Sequence, residues 1–487
     1  LVEAAYADGV DTIITCDNGI AAETAVTRAK ELGMTVIVTD HHEVPCEVTE
    51  NGEKNYLYVN ADAVVDPHRP DCVYPYKDLC GAGVAYKFIR HLYRVMELPW
   101  EGEDAYMDIL ALGTVCDIMP LTDENRIFVK RGLRRLTNST NLGINALKKA
   151  LGLDGKPIEV HHLSFRIGPS LNSTGRLESA KEGVELLLTD DPARAESLAQ
   201  DMAKLNELRK EMTDRGVRTA TDWVRKDIRM IPTEDGVKEK KIGDDKVIVL
   251  YMPGIHESIA GLIASKLKEA FYRPTLVFTD AENGHGLKGS GRSIETYNMF
   301  DKLCEHKELF VKVGGHPMAA GFTITREALE PLREALNRDC NLTDADLVEK
   351  LYVDESCAIK QLTLPLYEEL SKLEPYGTAN VRPLFGIVKM GIRSIKMVGN
   401  EGQYARCTFV DGNGTRINGM VFRGKELLDN IKVWFGDKEC DKILKGLQNH
   451  ALIDILYHMK KNEFNGTVSI QMEPVSIRKS VYYETSK

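Results

Sequence analysis

DTIITCDNG (11–19), ETAVTRAKELG (23–33) and TVIVTDHH (35–42) decide the fold class. The first is a short β-branched run closed by acid and Gly. The second reads as a helix stopped at Gly33, and the third is an apolar run closed by acid and imidazole. Strand, helix and strand at this spacing make the βαβ unit of a parallel sheet covered by helices. Such sheets place ligands outside the carboxyl ends of their strands, where Asp17 and the trio Asp40, His41 and His42 fall.

Outward from this unit, GAGVAYKFIRHLYRVM (81–96) and DAYMDILALGTVCDI (104–118) carry helical periodicity. A charged helix follows over 192–226, longer than most globular helices and suited to bridging two domains. After a polar segment, IPTEDGVKEKKIGDD (231–245), strand patterning resumes in KVIVLYM (246–252) and PTLVFTD (274–280), a second α/β module. The last portion is rich in short strands with hairpin signals at DGNG (411–414) and NEFNG (462–466), interrupted by helical KELLDNIKVWFG (425–436). A small barrel of the oligonucleotide-binding (OB) type fits this pattern, and so do other small β folds. The expected division is a parallel-sheet domain over 1–190, a connecting helix over 191–228, a second α/β domain over 229–345 and a barrel over 355–487.

A chain of 487 residues exceeds one hydrophobic core, in keeping with several domains. No run of about 18 apolar residues exists, which excludes a membrane-spanning helix. LVEAAYADG (1–9) has neither an initiator Met nor the basic and apolar regions of a secretory signal, and reads as the last turns of a helix; the chain is expected to be a fragment. Ten cysteines with no C-x-x-C pair give no support to a zinc ribbon or a thioredoxin-like site, and reduced thiols in the cytoplasm are expected. The net charge of −10 argues against nucleic acid as a partner. Residues 355–487, however, hold 19 Lys and Arg against 15 Asp and Glu, a balance of +4 that leaves −14 for the rest.

Asp17, Asp40, His41, His42 and Asp117 form the first chemical constellation. Carboxylates mixed with imidazole suit Mn²⁺ or Mg²⁺, with histidine tilting the choice toward Mn²⁺. Acids at adjacent strand ends can converge on one point, as a two-metal site requires. The bland alternative is that an acid after a strand is a helix cap or a turn residue, an even match for Asp17 alone. The D-H-H tripeptide has no comparable packing explanation, because polar groups at a buried strand end must be paired or coordinated.

TCDNGI (15–20), VTDHHEVP (38–45) and LGTVCDIMPLTDENR (112–126) resemble successive motifs of the DHH phosphoesterase superfamily. FRIGPSLNSTGRLES (165–179), GSGRSI (289–294), VGGHPMAAGF (313–322) and LEPYGTANVRPLF (373–385) extend the likeness to its single-strand-specific exonuclease branch, over nearly the whole chain. The resemblance implies a DHH domain, a DHH-associated domain and an OB-type barrel. It makes Asp17, His41 and Asp117 metal ligands, with Asp40 a ligand or the partner that holds His41. His42, Asp40, Arg176 and His316 would be catalytic, while Asn172, Arg176, Ser290, Arg292, Gly314, Gly315 and His316 would bind nucleic acid. His256 matches a position usually followed by a glycine-rich segment, but Ser258 stands where Gly is usual. The family's D-x-D-G strand end has no counterpart here and is expected upstream of Leu1, where its acids would complete a two-metal Mn²⁺ or Mg²⁺ site.

The implied function is 5′→3′ hydrolysis of single-stranded DNA to 5′-mononucleotides in repair and recombination. Implied partners are single-stranded DNA, a RecQ-type helicase and a single-strand-binding protein, with no membrane. Two alternatives stand beside it: a phosphodiesterase for nanoRNA or cyclic dinucleotides, and a catalytically incomplete binding scaffold. In the barrel, Tyr404, Phe409 and Phe422 have two readings, as stacking platforms or, since alternate strand residues face inward, as core.

Overall fold

The structure is a computed structural model that describes residues 1–481 apart from 50, 52, 101, 103, 178–179, 234–235, 242–244, 283, 400–401 and 465; for 48, 174–177, 233, 236–241 and 464 only the backbone is described. Two compact units result, the first made of Leu1–Thr137, Ile158–Val160 and Leu351–Lys487 and the second of Asn138–Pro157 and His161–Lys350. The expected limit at residue 190 falls inside the second unit.

After a short helix over Val2–Ala7, the first unit builds its sheet from strand β1 (Thr12–Ile14), helix α1 (Glu23–Glu31), strand β2 (Thr35–Thr39) and strand β3 (Ala63–Val65). The strands form a parallel sheet in the order β1-β2-β3, with Thr12 opposite Thr35 and Ile37 opposite Ala63. Val26 and Ala29, three residues apart and hence on one face of α1, pack on Val36 and Val38 of β2. Helices α2 (Gly81–Val95), α3 (Met107–Cys116) and α4 (Asp123–Thr137) follow, matching the two expected helical stretches to within about a turn.

The second unit begins with α5 (Leu142–Ala150), a π-turn over Leu163–Ile167 leading into α6 (Gly168–Leu177), and α7 (Lys181–Leu188). Helix α8 (Pro192–Arg225) is 34 residues long, about 50 Å at 1.5 Å per residue. The Asp191 carboxylate caps it by accepting from Ala193 N at 2.9 Å. Its buried Ala195, Leu198, Ala199 and Met202 make one helical stripe, which packs on α5 and α6. Thr213, Gly216, Ala220 and Val224 make another against α9 (Glu257–Phe271); a Cβ on Gly216 would come within 2.5 Å of Ile263 Cδ1. The expected bridging helix thus runs from a helical cluster to the second α/β module. Around α9 lie β4 (Ile248–Tyr251), β5 (Thr275–Asp280), β6 (Leu287–Arg292), β7 (Lys312–His316) and β8 (Ala319–Ile324). Their sheet order is β7-β8-β6-β5-β4, in which β4 and β5 are parallel and the other pairings antiparallel. The stretch read as merely polar contains a hairpin, Ile228–Thr233 with Gly236–Lys241.

The first unit resumes with a barrel of β9 (Phe385–Val398), β10 (Tyr404–Val410), β11 (Arg416–Val421), β12 (Leu452–Phe464) and β13 (Thr467–Lys479). It closes because β9 pairs with both β10 and β12 while β13 pairs with β11 and β12. The DGNG turn joins β10 to β11 as expected, whereas the NEFNG signal includes residue 465, outside the described residues. Two helices, α10 (Gly424–Phe435) and α11 (Asp437–Leu444), lie between β11 and β12, and only the first was expected. Gly377 packs so closely on Leu121 that a Cβ there would lie 2.6 Å from Leu121 Cδ1, and Leu121 N donates to Thr378 O at 2.7 Å. An Arg126 guanidinium nitrogen donates to the carbonyls of Lys372 and Glu374 at 2.9 and 3.2 Å. These contacts place the barrel in the same unit as the parallel sheet.

Phe409 is fully buried among Cys407, Ile453 and Tyr457, so its core reading holds, while Tyr404 and Phe422 are exposed and pack edge to face at 5.9 Å. Phe409→Ala should therefore lower the stability of the barrel by about 3–5 kcal/mol in urea unfolding. Phe422→Ala should cost less than about 1 kcal/mol. Equal losses would contradict this assignment of core and surface.

Candidate metal centre

The three strand ends of the parallel sheet are tied together by their own polar groups. Thr39 donates its hydroxyl to Thr15 O at 2.7 Å and its N–H to Thr15 Oγ1 at 3.2 Å, joining β2 to β1. Asp40 N donates to Val65 O at 3.0 Å, joining β2 to β3. Asp17 N donates to Thr39 O at 3.1 Å, and Asp17 takes a left-handed φ of +64°, a conformation Asp tolerates better than most residues. At Gly81, the first residue of α2, an added Cβ would lie 2.4 Å from Asp17 Cβ, so only glycine lets the helix come this close.

The Asp40 carboxylate is 1% exposed and carries four donors. Oδ2 accepts from Ile20 N at 2.9 Å, and Oδ1 accepts from His42 Nδ1 at 2.6 Å, His41 N at 2.8 Å and, more weakly, His42 N at 3.4 Å. Burial alone would push its pKa up, but the Ile20 N–H, the His42 ring and the His41 N–H outweigh burial and hold it below the usual carboxylate range. In turn the bond to Asp40 raises the His42 pKa, against burial and with help from the negative field of Asp40, Asp17 and Asp117.

With the turn fixed in this way, His41 Nε2 lies 3.0 Å from Asp17 Oδ1 and 3.4 Å from Asp117 Oδ2. Asp117 caps the carboxyl end of α3. Its pKa is raised by burial and by Asp17, with His41 opposing. Ligand atoms of Asp17, His41 and His42 all lie within 4.8 Å of one another. Two carboxylates share one imidazole nitrogen, a set of oxygen and nitrogen donors gathered within reach of a single divalent cation. The residues fit Mn²⁺ or Mg²⁺ on this donor set, with imidazole favouring Mn²⁺.

Sequence reasoning passed over two supporting residues. Asp66, at the end of β3, is buried; its Oδ1 accepts from His68 N at 2.8 Å, while Oδ2 has no hydrogen-bond partner among the described residues. His68 Nδ1 bonds the carbonyl of His41, holding the turn from the opposite side. The run AVV before Asp66 is three residues long, so the acid was not recognised as a third strand end. Cys16, Cys80 and Cys116 flank the centre with pKa values raised by burial, Cys116 to about 11, so they stay as neutral thiols.

The remaining expected residues belong to the second unit. Asn172 is exposed on α6, and Arg176 belongs to the same helix, with its side chain outside the described residues. Ser290 and Arg292 on β6 line a pocket of about 280 Å³ with Ser258, Gly261 and Lys288. Arg292 donates to Ser290 Oγ at 3.0 Å and to Gly291 O at 2.8 Å, and a Cβ on Gly261 would reach within 3.0 Å of the guanidinium. Lys288 is paired with Glu257 at 2.5 Å. His256 is not among the lining residues: its Nδ1 caps α9 by accepting from Ser258 N at 3.2 Å. Gly314, Gly315 and His316 are exposed on β7. A Cβ on Gly315 would strike Ala319 O at 2.5 Å, so pairing with β8 already accounts for that glycine, whereas Gly314 faces open space.

Comparison with known proteins bears on the same segments. Residues 2–114 match the DHH family N-terminal domain, 244–341 the DHHA1 domain and 353–475 the RecJ OB domain. The single-stranded-DNA-specific exonuclease RecJ of Bacillus subtilis (strain 168) is 34% identical over 425 residues, covering 87% of this chain and 50% of that protein. The Dickeya dadantii (strain 3937) protein of the same name is 31% identical over 492 residues, covering 97% of this chain and 78% of the relative. The crystal structure of RecJ from Thermus thermophilus in complex with Mn²⁺ superposes with a TM-score of 0.76 at 26% identity, covering 98% of this chain and 64% of that one. The chain therefore spans half the length of one curated relative and about four fifths of another.

Asp40→Asn keeps the side chain's shape but removes the charge that holds four donors. It should weaken Mn²⁺ binding, measured by calorimetry, by about 10–100-fold. Unchanged affinity would show that the turn does not depend on the Asp40 charge.

Proposed function

The chain belongs to the RecJ family, and from that premise we propose that it is a metal-dependent 5′→3′ exonuclease of single-stranded DNA, releasing 5′-mononucleotides in repair and recombination. The observation that carries this reading is the convergence of Asp17 and Asp117 on His41 Nε2 at 3.0 and 3.4 Å. Asp17, His41 and Asp117 would hold the cation. When bound, Mn²⁺ or Mg²⁺ supplies Lewis-acid polarisation of the phosphoryl oxygens, an activated water and stabilisation of the leaving 3′-oxygen. Asp40 keeps a proton on His42 Nδ1, which leaves Nε2 as the atom that faces the reaction. In the second unit the Ser290 and Arg292 pocket, with Asn172, Arg176, Gly314, Gly315 and His316, is proposed to hold phosphates of the strand. Arg suits that role because its forked donors match phosphate oxygens.

The proposed domains are a DHH domain over 1–190, the long helix over 191–228, a DHH-associated domain over 229–345 and an OB barrel over 355–487; matches over 2–114, 244–341 and 353–475 support the presence of the three named domains. The barrel's positive balance suits it to tracking the strand electrostatically. Exposed Tyr404 and Phe422 are candidate stacking platforms. No helix among the described residues is long and apolar enough to cross a membrane. A cytoplasmic setting is proposed on the ten free cysteines. Interaction with a RecQ-type helicase and a single-strand-binding protein is proposed on family grounds.

His41→Ala and Asp117→Ala should each reduce Mn²⁺-dependent hydrolysis of oligo-dT by about 10³-fold or more, while binding of the oligonucleotide falls less than about threefold. A variant that lost binding but kept hydrolysis would contradict the assignment. Chain length of the substrate separates the small-phosphodiesterase alternative. Digestion of strands of several tens of nucleotides is expected, and cleavage restricted to two- to five-nucleotide fragments would sink the exonuclease reading.

A further inference from the structure

Helix α3 ends in a Schellman turn immediately after Asp117. Ile118 N donates to Val115 O at 3.2 Å and Met119 N to Thr114 O at 3.1 Å, the two bonds that define this helix stop. The turn requires a left-handed residue after the cap, a place usually filled by Gly or Asn. Here it holds Ile118 at φ +58°. A β-branched residue in that region is an outlier, because its branched Cβ crowds the following carbonyl.

The chain is anchored on both sides of Ile118. On one side lies α3, with Thr114 and Val115 buried. On the other, Tyr76 Oη donates to Thr122 O at 3.1 Å, Asn125 Nδ2 donates to Pro120 O at 3.1 Å, and Leu121 is buried with its N–H bonded to Thr378 O. Strain that is held from both flanks and placed beside a reactive group marks a functional position. The side chain so held is 72% exposed, so it contributes nothing to the core that would offset the strain. It projects from the residue next to Asp117, whose carboxylate faces His41 Nε2 at 3.4 Å.

We propose that Ile118 is a substrate-positioning residue: an apolar surface, fixed by the left-handed turn, against which the nucleoside next to the scissile phosphate packs. This rests on the functional reading above and adds to it a contact with the uncharged part of the nucleotide, where the metal centre handles only phosphate. Packing against an apolar side chain is tolerant of base identity, as an enzyme that must digest any sequence requires.

The test uses fluorescence anisotropy with 5′-phosphorylated oligo-dT, calorimetry with Mn²⁺ and thermal unfolding. Ile118→Gly and Ile118→Asn both suit the left-handed turn, so their Tm should equal or exceed that of the parent. Both should raise the Kd for the oligonucleotide at least fivefold while Mn²⁺ affinity stays within twofold. Ile118→Val, which restores a branched apolar surface, should bring the Kd to within twofold of the parent. Oligonucleotide binding within twofold of the parent for both Ile118→Gly and Ile118→Asn would overturn the inference. So would a parallel loss of Mn²⁺ affinity, which would mean that Ile118 acts through Asp117. A parent chain that bound no single strand would instead overturn the functional reading, and the inference with it.

Discussion

A single buried carboxylate organises the centre. Asp40 accepts from three backbone N–H groups and one imidazole, and by doing so it sets the direction of the chain as it leaves β2. A lone charge at this depth would be expelled or neutralised, but its hydrogen-bond donors keep it ionised. Because its oxygens are occupied, Asp40 serves the centre by aiming His41 and His42 and by binding the loop at Ile20. His68 holds the His41 carbonyl from the other side. The pair of histidines is therefore fixed by hydrogen bonds on both flanks, and pre-organisation of this kind gives a metal site its affinity and geometry.

Two of the chain's left-handed non-glycine residues border the same centre. Asp17 and Ile118 both occupy the left-handed region, and glycine is the only residue type that fits at position 81 beside Asp17. Each left-handed non-glycine residue costs about 1–2 kcal/mol, most severely for a branched side chain such as Ile118. The neighbouring elements hold these conformations: the parallel sheet behind Asp17, and buried Leu121 with the barrel junction beyond Ile118. The segment that leads into the barrel thus takes part in shaping the first unit.

Much of this was legible in the sequence, for physical reasons that can be stated. Strand ends rich in acid and imidazole are conspicuous because such groups are expensive to bury, so Asp17, Asp40 and His41 could be picked out before any coordinates, while Asp117, at a helix end, was singled out with the motif that contains it. The long helix was legible from a 3.6-residue periodicity sustained over some nine turns. What escaped notice depends on contacts between residues distant in sequence. Asp66 follows a strand of three residues, too short to show alternation. The reason for Gly81 lies in Asp17, and the handedness of Ile118 depends on Leu121 and Thr378. The hairpin from 228 to 241 was hidden by its polar composition, and helix α11 by its short, charged sequence after Gly436. In the barrel, alternation was visible but its phase was not, so Phe409 could not be told from Phe422 until the register was known.

The most direct test of the central claim is a crystal of this chain soaked in Mn²⁺ and measured at a wavelength where manganese scatters anomalously. The account predicts an anomalous peak within about 2–2.5 Å of Asp17 Oδ1, His41 Nε2 and Asp117 Oδ2, the range of first-row and hard divalent cations on such ligands. A peak elsewhere, or none at saturating Mn²⁺, would contradict it.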